Sequence, residues 1–281
     1  MKRVLTAAIL IPLVLFLVFL GPRWQWIFTL AVGAVAVLAG WEYVILAEKG
    51  GFKPPRIACM VAIISLFVAR LLADNFTWLH QTEAVFGILA LGLLVYCTFL
   101  RPVEHVMADS SASVFCLLYV GFTMLALPIL HEEANGPSLV TFLLCTVWAG
   151  DTVALYVGRA WGRHKLAPKL SPNKTWEGAV GSMVGSLLAA TALMGLAELL
   201  QQWNSASLSY PEVFWYWLVL AAIVNVAAQV GDLTESALKR SVGVKDSGTL
   251  LPGHGGVLDR VDALLLAAPA LWYAQVIHQM F

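Results

Sequence analysis

Long apolar runs constrain this chain more than any other feature, because they recur along almost its whole length. A helix needs about 20 mostly apolar residues to cross the hydrocarbon core of a bilayer. Hydrophobic residues make up 60% of the chain and charged residues only 12%, which is typical of a polytopic membrane protein. We therefore predict an all-α, polytopic integral membrane protein with about nine transmembrane helices. The predicted spans are 4–20, 24–47, 57–73, 83–100, 112–130, 138–158, 178–200, 211–231 and 261–280.

The positive charges indicate which face of the membrane carries the polar segments. If the N-terminus lies on one side, nine spans leave five polar segments on that side, and these hold every Lys and Arg except Arg23 and Arg70. The positive-inside rule assigns this side to the cytoplasm, so we expect the N-terminus and a polar site there. The five segments are 1–3, 48–56, 101–111, 159–177 and 232–260.

Polar chemistry is concentrated towards the C-terminal part of the chain. We expect residues 1–111 to form transmembrane helices that anchor and pack, and residues 112–281 to form a catalytic transmembrane region with cytoplasmic loops 159–177 and 232–260. The net charge is zero, so any electrostatic argument depends on where the charges lie, and we expect no nucleic-acid partner. The cysteines lie singly in apolar runs, which favours packing over disulfide or metal roles. They are Cys59, Cys97, Cys116 and Cys145.

The most polar stretch, residues 236–262, combines cations and carboxylates around a Gly-rich turn. This mixture suits phosphate groups held through a divalent metal. Gly255 and Gly256 allow the backbone to approach a phosphate closely, and His254 is a candidate donor to it. Asp259 lies where the last predicted helix begins, just before the span 261–280. There it either caps the helix or binds a metal, and the two roles are compatible. The charged candidates are Lys239, Arg240, Lys245, Asp246, Asp259, Arg260 and Asp262.

A polar stripe marks the span 211–231, whose helix we expect to continue to about residue 240. Asn225, Gln229, Asp232 and Ser236 follow one another at intervals of four, three and four residues, which is about one helical turn each. For Asn225 and Gln229, hydrogen bonding between helices is the favoured interpretation. Asp232 and Glu235 lie next to the cytoplasmic interface, where contact with a metal or a substrate is favoured.

Asp151 and Glu42 lie well inside predicted spans, where an ionisable side chain is costly and indicates a function. Asp151 is either a metal ligand or a buried carboxylate bonded to neighbouring side chains. Glu42, near the cytoplasmic end of the span 24–47, fits a structural and a functional role equally well. We predict Asp232 and Asp259 as metal ligands, with Asp246 or Asp262 as further ligands and Asp151 as another candidate.

The loop 159–177 carries five cations, which positive-inside topology alone would explain. Its last part favours a nucleotide or phosphate site instead, because a rigid turn there brings hydroxyls, a Lys and a Glu to a helix start. Gly181 and Gly185, four residues apart, predict close helix packing within one chain or between two. The candidate substrate-binding residues of the loop are Ser171, Pro172, Lys174, Thr175 and Glu177.

Residues 236–262 resemble the signature of the phosphatidate cytidylyltransferase (CDP-diacylglycerol synthase) family, bacterial type. The loop 170–178 and the segment 231–236 also resemble that family, closely from about 145 to 262 and mainly in topology before that. The matching signature residues are Ser236, Lys239, Arg240, Lys245, Asp246, Pro252, His254, Gly255, Gly256, Asp259, Arg260 and Asp262.

The resemblance implies an integral protein of the bacterial inner membrane that converts CTP and phosphatidic acid to CDP-diacylglycerol and pyrophosphate. It also implies Mg²⁺, with a monovalent cation such as K⁺ as a second candidate, and a homodimer. A different transferase acting on a lipid phosphate and a CTP-dependent lipid kinase are the nearest alternatives. A transporter is the alternative from another class, but it would need polar groups along a path open to both faces.

Overall fold

A computed structural model describes residues 11–73, 75–203, 207–248, 250 and 255–280. Most of these residues are helical, and within them strands occur in one two-stranded hairpin only, which confirms the predicted all-α class. A π-helical stretch, Leu117–Phe122, joins α4 to α5. The helices are α1 (Gln25–Lys49), α2 (Arg56–Leu72), α3 (Thr82–Leu100), α4 (Val106–Cys116), α5 (Thr123–Glu132), α6 (Gly136–Trp161), α7 (Trp176–Gln202), α8 (Phe214–Ser241) and α9 (Leu258–Gln279).

Seven helical segments of the described chain are long and apolar enough to cross a membrane, which fits an integral membrane protein. Each predicted span from 24–47 onward overlaps a helix. The 17-residue helix α2 is not among the seven. Residues 11–18 are helical, but residues 4–10 of the first predicted span lie outside the described residues. The count of nine is therefore not confirmed. The seven segments are α1, α3, Val103–Glu132, α6, α7, α8 and α9.

The first of two compact units comprises Pro22–Ala126 and Leu238–Val261, and so contains α1–α4 with the end of α8 and the start of α9. Helix α1 lies against α2 at Gly40, where an added Cβ would come within 2.5 Å of Cδ1 of Ile63. Ile63 is itself fully buried. Close backbone approach at a small residue is the usual way in which membrane helices pack.

The second unit comprises Leu127–Ala237 and Asp262–Phe281, together with the described residues before Pro22. Here α7 packs along α6 through the two glycines that the sequence singled out. An added Cβ would lie 2.8 Å from Cβ of Val157 at Gly181, and 2.9 Å from the carbonyl oxygen of Ala149 at Gly185. The predicted close packing is confirmed, and it occurs within one chain.

The loop between α6 and α7 differs from the prediction. Helix α6 continues to Trp161, and the predicted rigid turn is instead part of an antiparallel hairpin of β1 (Lys165–Ala167) and β2 (Ser171–Thr175). The N–H of Trp176 donates to the carbonyl of His164 across 2.9 Å, so the hairpin leads directly into α7. The many cations and two prolines of this segment hid its strands from a reading based on apolar periodicity.

Helix α8 is continuous from Phe214 to Ser241, which confirms the predicted extension beyond the span 211–231. Its 28 residues correspond to about 42 Å, against about 30 Å of hydrocarbon. The polar residues at its C-terminal end are therefore carried on a rigid helix and not on a loop.

Candidate active site

The predicted site residues fall into two polar clusters, each within one compact unit. The Asp232 cluster consists of Asp151, Lys174, Asp232 and Ser236 and belongs to the second unit. The Asp259 cluster consists of Glu42, Lys239, Ser247, Gly256 and Asp259 and belongs to the first unit. Helix α8 supplies a residue to each cluster.

In the Asp232 cluster, a lysine from the hairpin meets a carboxylate from α8. Nζ of Lys174 lies 2.6 Å from Oδ2 of Asp232, with the two side chains 26% and 34% exposed. The hydroxyl of Ser236 donates to Oδ1 of Asp232 across 3.4 Å. Asp151, exposed on α6, is close enough to interact electrostatically with both Asp232 and Lys174. The cluster therefore holds two carboxylates and one ammonium, and its negative charge favours a further cation.

The hairpin that carries Lys174 is held by Thr175 and Glu177. Oγ1 of Thr175 accepts the N–H of Gly178 across 3.1 Å and caps α7. Oε2 of Glu177 accepts the backbone N–H groups of Arg163 and His164 at 3.1 and 3.2 Å, and Nδ1 of His164 lies 2.6 Å from Oε1 of Glu177. Both side chains therefore fix the position of β2 relative to α7.

Substrate contact by the loop residues stays a prediction. Ser171 is half-buried and Pro172 is exposed on β2, and both lie in the strand that carries Lys174.

In the Asp259 cluster, an ion pair is almost withdrawn from solvent. Nζ of Lys239 lies 2.6 Å from Oδ1 of Asp259, with the side chains only 12% and 6% exposed. Oδ2 of Asp259 accepts the N–H of Gly256 across 2.8 Å, and the N–H and the hydroxyl of Ser247 across 3.0 Å each. Acceptance of the N–H three residues earlier is how an acidic residue in the first turn caps a helix. The capping role of Asp259 is confirmed, and metal binding stays a prediction.

Glu42 and Ser247 belong to this cluster although the sequence did not assign them to the site. Oε2 of Glu42 accepts the N–H of Leu258 across 2.8 Å and the hydroxyl of Ser247 across 3.1 Å. The acidic side chain inside an apolar span was the signal for Glu42. Ser247 gave no signal, because a serine next to a glycine is ordinary loop composition.

The remaining charged candidates lie around these clusters. Nη1 of Arg240 donates to the carbonyl of Val244 across 2.8 Å, and Oδ1 of Asp262 accepts the N–H of Ala263 across 2.8 Å. Gly255 has a φ of +80°, which favours glycine. His254 and Pro252 lie outside the described residues. The exposed charged candidates are Arg240, Lys245, Asp246 and Arg260.

Asn225 and Gln229, the two residues of the α8 polar stripe that lie within the predicted span, have a structural role, as expected. Nδ2 of Asn225 donates to the hydroxyls of Ser182 and Ser186 on α7, across 2.8 Å each. Nε2 of Gln229 donates to the carbonyl of Ala179 on α7 across 3.3 Å, and to Oδ1 of Asn225 within α8 across 2.7 Å. The bonds to Ser182, Ser186 and Ala179 tie α8 to α7 and confirm the interpretation of Asn225 and Gln229 as helix–helix contacts.

Carboxylate chemistry in the Asp232 cluster fits a magnesium ion. Mg²⁺ is commonly bound by one or two protein carboxylates together with substrate phosphates and water. Asp151 and Asp232 supply such a pair, and no larger group of His, Cys, Asp or Glu suited to a metal occurs among the described residues. A cation shared by Asp232 and Asp259 would join residues of the two units, and it stays a prediction.

The profile of the cytidylyltransferase family matches residues 1–278, so this chain belongs to that family. Several phosphatidate cytidylyltransferases are similar over nearly the whole chain. The protein of Brucella melitensis is 34% identical over 96% of this chain and 91% of its own length. The protein of Haemophilus influenzae is 32% identical over 97% of each chain, and that of Bacillus subtilis is 30% identical over 97% of this chain and 96% of its own.

Proposed function

We propose that this chain transfers the cytidylyl group of CTP to phosphatidate, giving CDP-diacylglycerol and pyrophosphate. One observation carries the proposal: proteins named phosphatidate cytidylyltransferase match it over 96% of its length at 34% identity. The position of the Asp259 cluster agrees with this reaction, because Lys239 and Asp259 lie at the ends of the long apolar helices α8 and α9. One substrate is a lipid and the other is a water-soluble nucleotide.

The chemistry requires charge neutralisation more than proton transfer. A phosphate oxygen of phosphatidate forms a bond to the α-phosphorus of CTP, while the bond from that phosphorus to the oxygen bridging to the β-phosphate breaks. Pyrophosphate leaves with the electron pair of the broken bond. The attacking oxygen is already anionic, so a strong general base is unnecessary. The site must offset repulsion between two polyanions and align the attack.

The lysines of the two clusters are suited to that task because they are held in place beforehand. Lys174 and Lys239 each lie 2.6 Å from a carboxylate, so their ammonium groups need little reorganisation when an anion arrives. We assign Lys174 to the nucleotide phosphates together with other residues of β2 and the start of α7, and the signature cations to the reacting and leaving phosphates. The other residues that we assign to nucleotide binding are Ser171, Pro172, Thr175, Glu177, Gly255 and Gly256. The residues that we assign to the reacting and leaving phosphates are Lys239, Arg240, Lys245, Asp246, His254 and Arg260.

Asp232 with Asp151 would hold Mg²⁺, and Asp259 and Asp262 remain candidate ligands. When bound, Mg²⁺ supplies positive charge to the reacting and leaving phosphate oxygens. Lys174 balances the carboxylates of this cluster before a metal binds, since its Nζ is already paired with Asp232. A K⁺ ion as a second cation is part of the proposal and rests on the family resemblance.

We propose three further points: that the protein lies in the inner membrane of a bacterium, that its site faces the cytoplasm, and that it forms a homodimer. The bacterial relatives support the first point. The distribution of Lys and Arg supports the second, because all but two of them lie in segments on one side of the predicted topology. The homodimer rests on the family resemblance alone.

Labelled nucleotides test the proposal against its alternatives. Purified protein is incubated with phosphatidate, Mg²⁺ and CTP labelled in either the α- or the γ-phosphate. We expect α-label in a lipid product and γ-label in pyrophosphate. Label in the lipid from γ-labelled CTP would instead identify a lipid kinase. The absence of any labelled lipid would contradict the proposed reaction and leave a transporter or another transferase.

A further inference from the structure

Glu42 is a buried carboxylate in a part of the chain to which the sequence assigned only anchoring. It lies in α1 and its residue surface is 2% exposed. An ionisable side chain in a membrane-spanning helix is costly and is retained where its contacts offset that cost. The contacts of Glu42 therefore indicate its role.

Those contacts lead to residues more than 200 positions later in the chain. Oε2 of Glu42 accepts hydrogen bonds from the hydroxyl of Ser247 and the N–H of Leu258. Two glycines close around the carboxylate: an added Cβ would lie 2.2 Å from Oε2 at Gly256 and 2.5 Å from Oε1 at Gly248. Either distance is too short for a side chain. The carboxylate of Glu42 therefore fixes the position of the backbone at both Gly248 and Gly256.

The residues that Glu42 fixes are the ones that hold Asp259. Ser247 donates its N–H to Oδ2 of Asp259, and Gly256 donates its N–H to the same oxygen. The hydroxyl of Ser247 lies 3.1 Å from Oε2 of Glu42 and 3.0 Å from Oδ2 of Asp259. A hydroxyl carries one proton, so Ser247 links the two carboxylates and can donate to only one of them at a time.

We propose that Glu42 is a positioning residue for the Asp259–Lys239 pair, acting through Ser247 and the start of α9. The inference rests on the proposed function, since it assigns the pair to cytidylyl transfer. Glu42 is almost inaccessible to solvent, so it does not contact substrate. Loss of its hydrogen bonds to Ser247 and Leu258, and of its close packing against Gly256, shifts the donors that orient Asp259. The N-terminal helices therefore contribute to the chemistry as well as to anchoring.

Three variants separate positioning from simple stabilisation. Glu42→Ala removes both acceptors. Glu42→Gln keeps an oxygen that can accept from Ser247 and Leu258 but removes the charge. Asp109→Ala is the matched control, because Asp109 is also 2% exposed in the same unit and also accepts a backbone N–H, that of Lys53 across 2.7 Å, yet it lies outside the cluster.

The readouts are kcat per folded molecule and the apparent KM for CTP and for phosphatidate. Residues that orient the groups of a site typically contribute about 10- to 100-fold, so Glu42→Ala should lower kcat by about that factor, with either KM changed less than about threefold. Glu42→Gln should restore kcat to within about threefold of the wild type. Asp109→Ala should lower thermal stability while leaving kcat per folded molecule unchanged.

Equal kcat values for folded Glu42→Ala and Asp109→Ala would overturn the inference, and so would a Glu42→Gln protein as slow as Glu42→Ala. If Glu42→Ala does not fold, Ser247→Ala decides, because it removes only the hydroxyl that links the carboxylates. A kcat about tenfold lower is expected for Ser247→Ala, and an unchanged kcat would overturn the inference. Failure of the proposed function has a different signature, because the wild-type protein itself would then form no CDP-lipid.

Discussion

Replacing Lys239 with Met removes the ammonium that faces Asp259 across 2.6 Å while keeping most of the side-chain volume. The side chains of the pair are only 12% and 6% exposed, so water can replace little of the lost interaction. Removing one partner of a buried ion pair costs about 3–5 kcal/mol. Oδ2 of Asp259 keeps its hydrogen bonds from Gly256 and Ser247, which favours the lower end of that energy range. We expect Lys239→Met to lower the free energy of unfolding by about 3 kcal/mol.

Lys174→Met is the matched control, because its partner carboxylate lies at the same distance of 2.6 Å but the side chains are 26% and 34% exposed. An ion pair exposed to that extent contributes about 0–1 kcal/mol to the free energy of unfolding. Thermal unfolding in detergent can be followed with a dye that reacts with the buried free thiols of Cys59, Cys97 and Cys116. At about 2–4 °C per kcal/mol, Tm should fall by about 6–12 °C for Lys239→Met and by at most about 4 °C for Lys174→Met.

Removing the second charge completes the test. Lys239→Met combined with Asp259→Asn takes both charges out of the buried site, so Tm should recover part of the loss caused by Lys239→Met alone. Equal Tm values for the two lysine variants would refute the argument from burial. A double variant less stable than Lys239→Met would refute the argument from the buried carboxylate.

Three further predictions concern the reaction and the packing. Asp259→Ala, in protein that still folds and inserts, should lower CTP incorporation by about two orders of magnitude or more, and retained turnover would remove Asp259 from the reacting site. Lys174→Ala should raise the apparent KM for CTP more than that for phosphatidate, and equal changes would argue against the nucleotide role of β2. Gly185→Ala should lower Tm by the several degrees that correspond to about 1–3 kcal/mol of overpacking, because its Cβ would meet the carbonyl of Ala149. Gly195→Ala, on the same helix with open space around it, should leave Tm unchanged or raise it, and matching losses for the two glycine variants would contradict the packing argument.

The helical part of the fold could be predicted because each membrane-spanning helix is determined by a run of consecutive apolar residues. A long apolar run has only one stable solution in lipid when its backbone hydrogen bonds must be satisfied internally. The extension of α8 to Ser241 also follows from local sequence. The hairpin of β1 and β2 could not be found in this way, because its pairing of Lys165 with Thr175 depends on contacts between short polar strands.

The members of the site were more predictable than their contacts. The sequence predicts both Lys239 and Asp259 as site residues, but nothing in their separation along the chain indicates that they pair with each other. The sequence favours a phosphate contact for Thr175, whose hydroxyl caps α7 in the structure. The sequence does not decide between two roles for Glu42, because its hydrogen-bond donors are 205 and 216 residues away. Such contacts are set by helix packing, which single-sequence patterns do not encode.

The hydrogen bond from Leu258 to Glu42 also has a consequence for biogenesis. Its donor and acceptor are 216 residues apart, so a ribosome adding about 5–20 residues per second makes the donor about 10–40 s after the acceptor. For that interval the nascent chain carries an acidic side chain in α1 without Ser247 or Leu258. Until Leu258 is made, that side chain is hydrated, neutralised by a proton or bound by other groups. The first unit therefore matures late in translation, and a product truncated after α7 would expose a carboxylate in α1 to membrane quality control.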